Sequence, residues 1–203
     1  MGAEADRVVC GSLRRGAGRG GGAGHCQKDD RRSRRCGMKA QMFVLAASIG
    51  LMAAEWRVSM RHDARLTELG ATEPREPQYS LMAIAYPLSF ILMGVEAWWR
   101  QAGISGAFVS GALLFVAAKA LKYWAIQSLG ERWTFRVRVL KGAPLVTSGP
   151  YQYIAHPNYL AVAGELAGMA LMMGAFVAGP VMTAVFCVLM WRRIRFEERA
   201  LAG

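Results

Sequence analysis

The run PNYLAVAGELAGMALMMGAF at residues 157–176 decides the fold, together with the Val177-Ala178-Gly179 break and the run PVMTAVFCVLMWRRIRF at 180–196. Each apolar run is about as long as a bilayer-crossing helix. Three residues between them leave room only for a tight reversal, so the pair reads as a helical hairpin. Pro157 suits the first turn of a helix, where its missing N–H is not needed. That places His156 at or beside the cap, next to free backbone amides and the positive end of the helix dipole, a site for a carboxylate or another anion. The plainer alternative is a helix start with an interfacial tyrosine at Tyr159. Glu165 follows about 12 Å further along the helix, among Ala, Gly, Leu and Met. An acid at that depth is costly and faces an interior cavity, unless it serves only as a hydrogen-bond partner for a neighbouring helix.

Three more apolar blocks precede the hairpin, at 38–54, at 79–99 with Pro87 inside it, and at 104–126 with Lys119 and Lys122 near its end. The chain is 54% hydrophobic and 19% charged, with most charges between the blocks. This segregation predicts an all-α, polytopic membrane protein of about five transmembrane helices. Loop 119–158 holds Lys119, Lys122, Arg132, Arg136, Arg138 and Lys141, and the last span ends on Arg192, Arg193, Arg195 and Arg199. Both are therefore cytoplasmic, while the uncharged 177–179 turn lies outside. Counting back puts Arg100 outside, the 57–78 loop with Arg57, Arg61, Arg65 and Arg75 inside, and the N-terminus outside. Within the long loop, Thr134–Leu140 alternates polar and apolar residues before Lys141-Gly142, which predicts a short strand and turn over the cytoplasmic face.

Residues 1–37 are rich in Gly and Arg and are read as a disordered tail. Nine Lys/Arg against four Asp/Glu give this tail +5 of the net +11. Its basic residues sit on the wrong side for the topology above. Met38 and Met42 lie at the edge of the first block, so a later start would remove the conflict, and residues 38–203 are taken as the functional domain. The match of Gly16–Gly21 to GxGxxG has no strand before it and no helix-forming run after it, so it is compositional. Membrane topology accounts for the basic balance, and nucleic acid is not an expected partner. Cys10, Cys26, Cys36 and Cys187 form no CxxC pair or disulfide framework, and no metal site is expected.

Three segments carry chemistry: Leu145–Tyr159, with Tyr151, Tyr153 and His156-Pro157-Asn158-Tyr159; the intramembrane Glu165; and Arg195-Phe196-Glu197-Glu198-Arg199-Ala200-Leu201. In the last, Arg195 and Glu198 share a helix face, as do Arg193 and Glu197. Taken alone it is a positive-inside anchor with exposed ion pairs of little worth. Jointly the three segments resemble the isoprenylcysteine carboxyl methyltransferase family over about residues 79–203. Leu129–Thr134 is similar to its bacterial branch, which includes alkylpyrone O-methyltransferases, and phospholipid methyltransferases are related. One departure is Ala155, where the family usually has Arg.

The resemblance implies an S-adenosyl-L-methionine-dependent methyltransferase of the bacterial inner membrane with its cofactor loop in the cytosol. It assigns Tyr151, Tyr153, His156, Pro157, Tyr159 and Glu198 to the cofactor. Arg195 would orient an acceptor oxygen, and Glu165 would fix the cavity. The acceptor would be lipophilic, an S-prenylcysteine carboxylate or an alkylpyrone-like hydroxyl, arriving sideways from the lipid bilayer. Two rivals are an NADPH-dependent membrane reductase, separable by cofactor binding, and a non-enzymatic membrane protein, which would bind neither cofactor.

Overall fold

The computed structural model describes residues 22–73, 78–140 and 142–202. Among them are five α-helices and no strand: α1 (Gly22–Glu68), α2 (Tyr79–Trp99), α3 (Gly106–Leu129), α4 (Pro157–Met173) and α5 (Ala178–Ala202). Single 3-10 turns lie at Gly130–Arg132 and Gly149–Gln152. Three helices are long and apolar enough to cross a membrane: α1 from Cys36 to Glu68, α2, and α3 with the turn to Arg132. The 17-residue α4 and the Arg/Glu-ended α5 complete the bundle as the expected hairpin.

Two expectations for the first helix change. Its backbone is already helical at Gly22, inside the segment read as a disordered tail; residues 1–21 lie outside the described residues. It also runs on to Glu68, so Arg57, Arg61 and Arg65 are helical rather than in a loop. The reason is a second amphipathic stripe. Glu55, Ser59, His62 and Leu66 follow at intervals of four, three and four; on this face Ser59 and His62 meet the 133–140 segment and Glu55 meets the lysines of α3.

The expected strand at 134–140 reduces to one antiparallel bridge between Thr72 and Val139. The rest of the segment pairs with α1 side chains, not with a second strand. Phe135 N donates to Ser59 Oγ at 2.7 Å, and His62 Nδ1 lies 2.8 Å from the Trp133 carbonyl. The Arg138 guanidinium grips Asp63 at 2.6 and 2.9 Å. The segment is thus a strap fastened to one end of the bundle.

The core is methionine-rich, with Phe90, Met93, Leu166, Met169 and Met173 fully buried. Helices α3 and α4 touch backbone to backbone, because a Cβ on Gly111 would stand 2.7 Å from the Gly168 carbonyl and one on Gly168 2.8 Å from the Gly111 carbonyl. Small residues allow this approach where lipid offers no hydrophobic drive for helix association. At the far end, Glu96 of α2 accepts from Val177 N (3.1 Å) and Ala178 N (2.6 Å), capping α5. Arg100 stacks on Phe176 there. Arg100 and the 177–179 turn therefore share one end, and the strap, the start of α4 and the end of α5 share the other, which is the grouping the charges predict.

Candidate active site

At the strap end, an open cavity of about 560 Å³ lies between the strap, residues 145–159 and the last turns of α5, a size in the small-ligand range. Pro157 opens α4 as its first residue and is buried. His156 is the N-cap, yet its side chain makes no capping bond, so the imidazole is left to face the cavity. Its Nδ1 is 3.9 Å from Glu197 Oε2 and its Nε2 3.8 Å from Glu198 Oε1. Both separations are too long for hydrogen bonds. Glu197 is held instead by Tyr159, whose hydroxyl donates at 2.6 Å, with Arg193 Nε 3.6 Å from the same oxygen. Burial first and the Glu197 carboxylate second push the Tyr151 hydroxyl up to about 12, so it stays protonated.

Among the buried polar atoms of wall residues with no hydrogen-bond partner among the described residues are Trp133 Nε1, a donor, and Asn158 Oδ1, an acceptor. Trp133 is only 2% exposed. Orphaned buried polar atoms are rare and call for an explanation such as a ligand. With the positive end of α4 and the Glu198 carboxylate, they give the cavity donors and acceptors for a charged, hydrogen-bonding guest.

Of the residues expected at the site, Tyr151, His156, Pro157, Tyr159 and Glu198 line this cavity together. Tyr153 does not; its ring is 78% exposed. Arg195 is also on the exposed side of α5, its guanidinium 5.5 Å over the Trp191 ring. The cation that α5 contributes to the wall is Arg193, buried and donating to the Phe135 carbonyl. The Arg193–Glu197 spacing was visible in the sequence; which of two adjacent arginine faces turns inward was not.

Beneath the polar cavity lies a smaller apolar one of about 150 Å³, walled by Met52, Met82, Val162, Phe186 and Met190. The two share Phe135, Asn158, Tyr159 and Arg193. Glu55, Tyr79, Tyr86 and Lys122 are further polar side chains in the wall of the apolar cavity.

Behind them is Glu165, fully buried and in neither wall. It belongs to a closed ring of alternating charge. Lys119 Nζ is 2.6 Å from Glu55 and 3.1 Å from Glu165, and Lys122 Nζ is 2.6 Å from Glu55 and 3.3 Å from Glu165. Tyr86 donates to Glu165. Sequence reasoning found Glu165 but missed Glu55 and Tyr86 and read the lysines as topology signals. Only the fold brings four helices to one point.

The sequence model of the isoprenylcysteine carboxyl methyltransferase family matches residues 111–203, which carry both lysines, Glu165 and most of the polar cavity. The uncharacterised protein YpbQ of Bacillus subtilis (strain 168) is 30% identical over 159 residues, 78% of this chain and 95% of that protein. An uncharacterised protein of Haemophilus influenzae is 26% identical over 146 residues, 71% of this chain and 85% of its own. With a relative aligned along nearly its whole length and the family's own region covering the site, the chain belongs to the isoprenylcysteine carboxyl methyltransferase family.

Proposed function

We propose that this protein is an S-adenosylmethionine-dependent O-methyltransferase that binds its cofactor in the polar cavity and a lipophilic acceptor in the apolar one. The observation that carries this reading is the meeting of the two cavities at Phe135, Asn158, Tyr159 and Arg193. A water-soluble donor and a lipid-soluble acceptor need such a junction.

The polar cavity fits the cofactor in charge and in hydrogen-bonding capacity. The positive end of the α4 dipole and His156 hold its carboxylate. Trp133 Nε1 and Asn158 Oδ1 gain the partners that they lack among the described residues. Glu198 takes a polar donor, and Tyr151 and Tyr159 enclose the remainder. When bound, S-adenosylmethionine supplies an electrophilic methyl group on a sulfonium. Arg193 presents a guanidinium to the acceptor oxygen, the role the sequence suggested for Arg195, which anchors the helix at the interface instead. Glu165 is a positioning residue that holds Lys122 and Tyr86 in the apolar cavity. Alignment and exclusion of water at the junction lower the barrier.

In this reading all five helices span a bacterial inner membrane, with the strap in the cytosol. The acceptor enters from the bilayer between α1 and α2, past Trp56 and Ala83. Calorimetric titration of S-adenosylmethionine into detergent-purified protein tests the proposal. Binding should weaken about tenfold or more in His156→Ala. Absence of binding in folded wild-type protein contradicts it, and a positive NADPH titration would favour a reductase.

A further inference from the structure

The apolar cavity ends on groups whose charges cancel. Glu55, Lys119, Glu165 and Lys122 alternate in sign around a ring, and all four are buried. Two ammonium and two carboxylate groups sum to zero. They come from α1, α3 and α4; α2 adds the uncharged Tyr86, whose hydroxyl is engaged by Glu165. From α5 the charged side chain in the wall is Arg193, and Glu197 stands 3.6 Å from it, so that charge is opposed too. The cavity itself touches one member of each sign, Glu55 and Lys122.

We infer that this neutral ring makes the cavity selective for an amphiphile with an uncharged hydroxyl head, against permanent anions and cations of the same chain length. The inference rests on the reading of the apolar cavity as the acceptor site. Of the oxygen acceptors considered above, it selects the hydroxyl over the carboxylate.

A hydroxyl donates one hydrogen bond and accepts others. It can donate to a remaining lone pair of the Glu55 carboxylate and accept the third N–H of Lys122, whose other two face Glu55 and Glu165. Both signs in the cavity wall are thereby satisfied. An anionic head gains Lys122 but meets Glu55, and it leaves a net charge in a water-poor bilayer interior. A cationic head has the mirror problem. Selectivity arises from this repulsive element as much as from the attraction.

The test is equilibrium binding of decanol, decyl sulfonate and decyltrimethylammonium to protein in phosphatidylcholine nanodiscs. Affinities are referred to the ligand concentration in the disc, with empty discs subtracted. Decanol should bind wild type on the order of tenfold to a hundredfold more tightly than either ion. Glu55→Gln or Glu165→Gln, each leaving the ring at +1, should move the sulfonate to first place. Lys122→Met, leaving it at −1, should favour the ammonium. Glu55→Gln/Lys122→Met, neutral again, should restore decanol.

The wild-type ranking needs no variant, so it stands even where a single substitution fails to fold. A sulfonate that binds wild type as well as decanol overturns the inference, as does an order unchanged in the folded single variants. If an Ala83→Trp substitution in the cavity wall leaves all three affinities unaltered, the ligands bind elsewhere and the acceptor-site reading itself fails.

Discussion

Removing Lys119 by substitution to Met leaves two buried carboxylates with one ammonium between them. An uncompensated buried charge of this kind costs about 3–5 kcal/mol, so thermal unfolding in detergent should show severe destabilisation. Glu55→Gln/Lys119→Met should recover most of the loss, because paired sites are not additive. Trp133 should behave in the opposite way. Its indole N–H is buried without a partner among the described residues, so Trp133→Phe relieves an unsatisfied donor. The ligand-free melting point should hold or rise while S-adenosylmethionine affinity falls about tenfold.

Tyr151 carries a pH signature. Its hydroxyl is raised from the usual 10 to about 12 by burial and by Glu197. Between those values the folded protein keeps a proton that the unfolded chain has lost. The contribution is therefore full below about pH 10 and is lost as pH rises to about 12. Tyr151→Phe should flatten that part of the alkaline stability profile, measured by melting from pH 9 to 12, and a profile identical to wild type would count against the burial argument. At this scale the sequence marked His156, Pro157 and Glu198 because a proline-started helix and a terminal Glu pair are local patterns. Lys119 and Lys122 were visible only as positive charges near a span end, because nothing local announces a partner 64 or 67 residues away.

Helix ends and crossings are where elements fix the site. Glu96 ties the end of α2 to the start of α5, and Glu96→Ala should cost about 1–2 kcal/mol by loss of a charged cap at a helix N-terminus. The Gly111–Gly168 crossing admits no side chain. Gly168→Val should force α3 from α4, destabilise the bundle by about 1–3 kcal/mol or more, and disturb the ring, since Lys122 and Glu165 lie on those helices. An unchanged melting point would contradict the crossing. Four of the five helices were legible from apolar block length and the Pro/Gly punctuation, including the hairpin. The first extends past its expected end because a run of polar residues can be one face of a helix when the strap packs on the other. The 134–140 alternation read as a strand for a related reason: its apolar members Phe135 and Val137 point into the protein, but its polar partners are side chains of α1.

Over the whole molecule, one polar cavity and one apolar cavity share four wall residues, beside a ring of alternating charge. The family's region runs from Gly111 in α3 to the C-terminus, yet α1 contributes Glu55 and α2 contributes Tyr86, so the apolar cavity draws on the chain before that region. A chain beginning at Met38 should retain cofactor affinity within about twofold, since Gly37 meets Gly103 and Ile104 and not the cavity wall; a larger loss would assign the tail a role in the site. The most direct measurement is transfer of labelled methyl from S-adenosylmethionine into the organic-extractable fraction by protein in nanodiscs containing bacterial lipid extract. The account predicts protein-dependent label in that fraction, abolished or reduced at least tenfold in His156→Ala. A folded, S-adenosylmethionine-binding protein that leaves no label in any lipid fraction would contradict it.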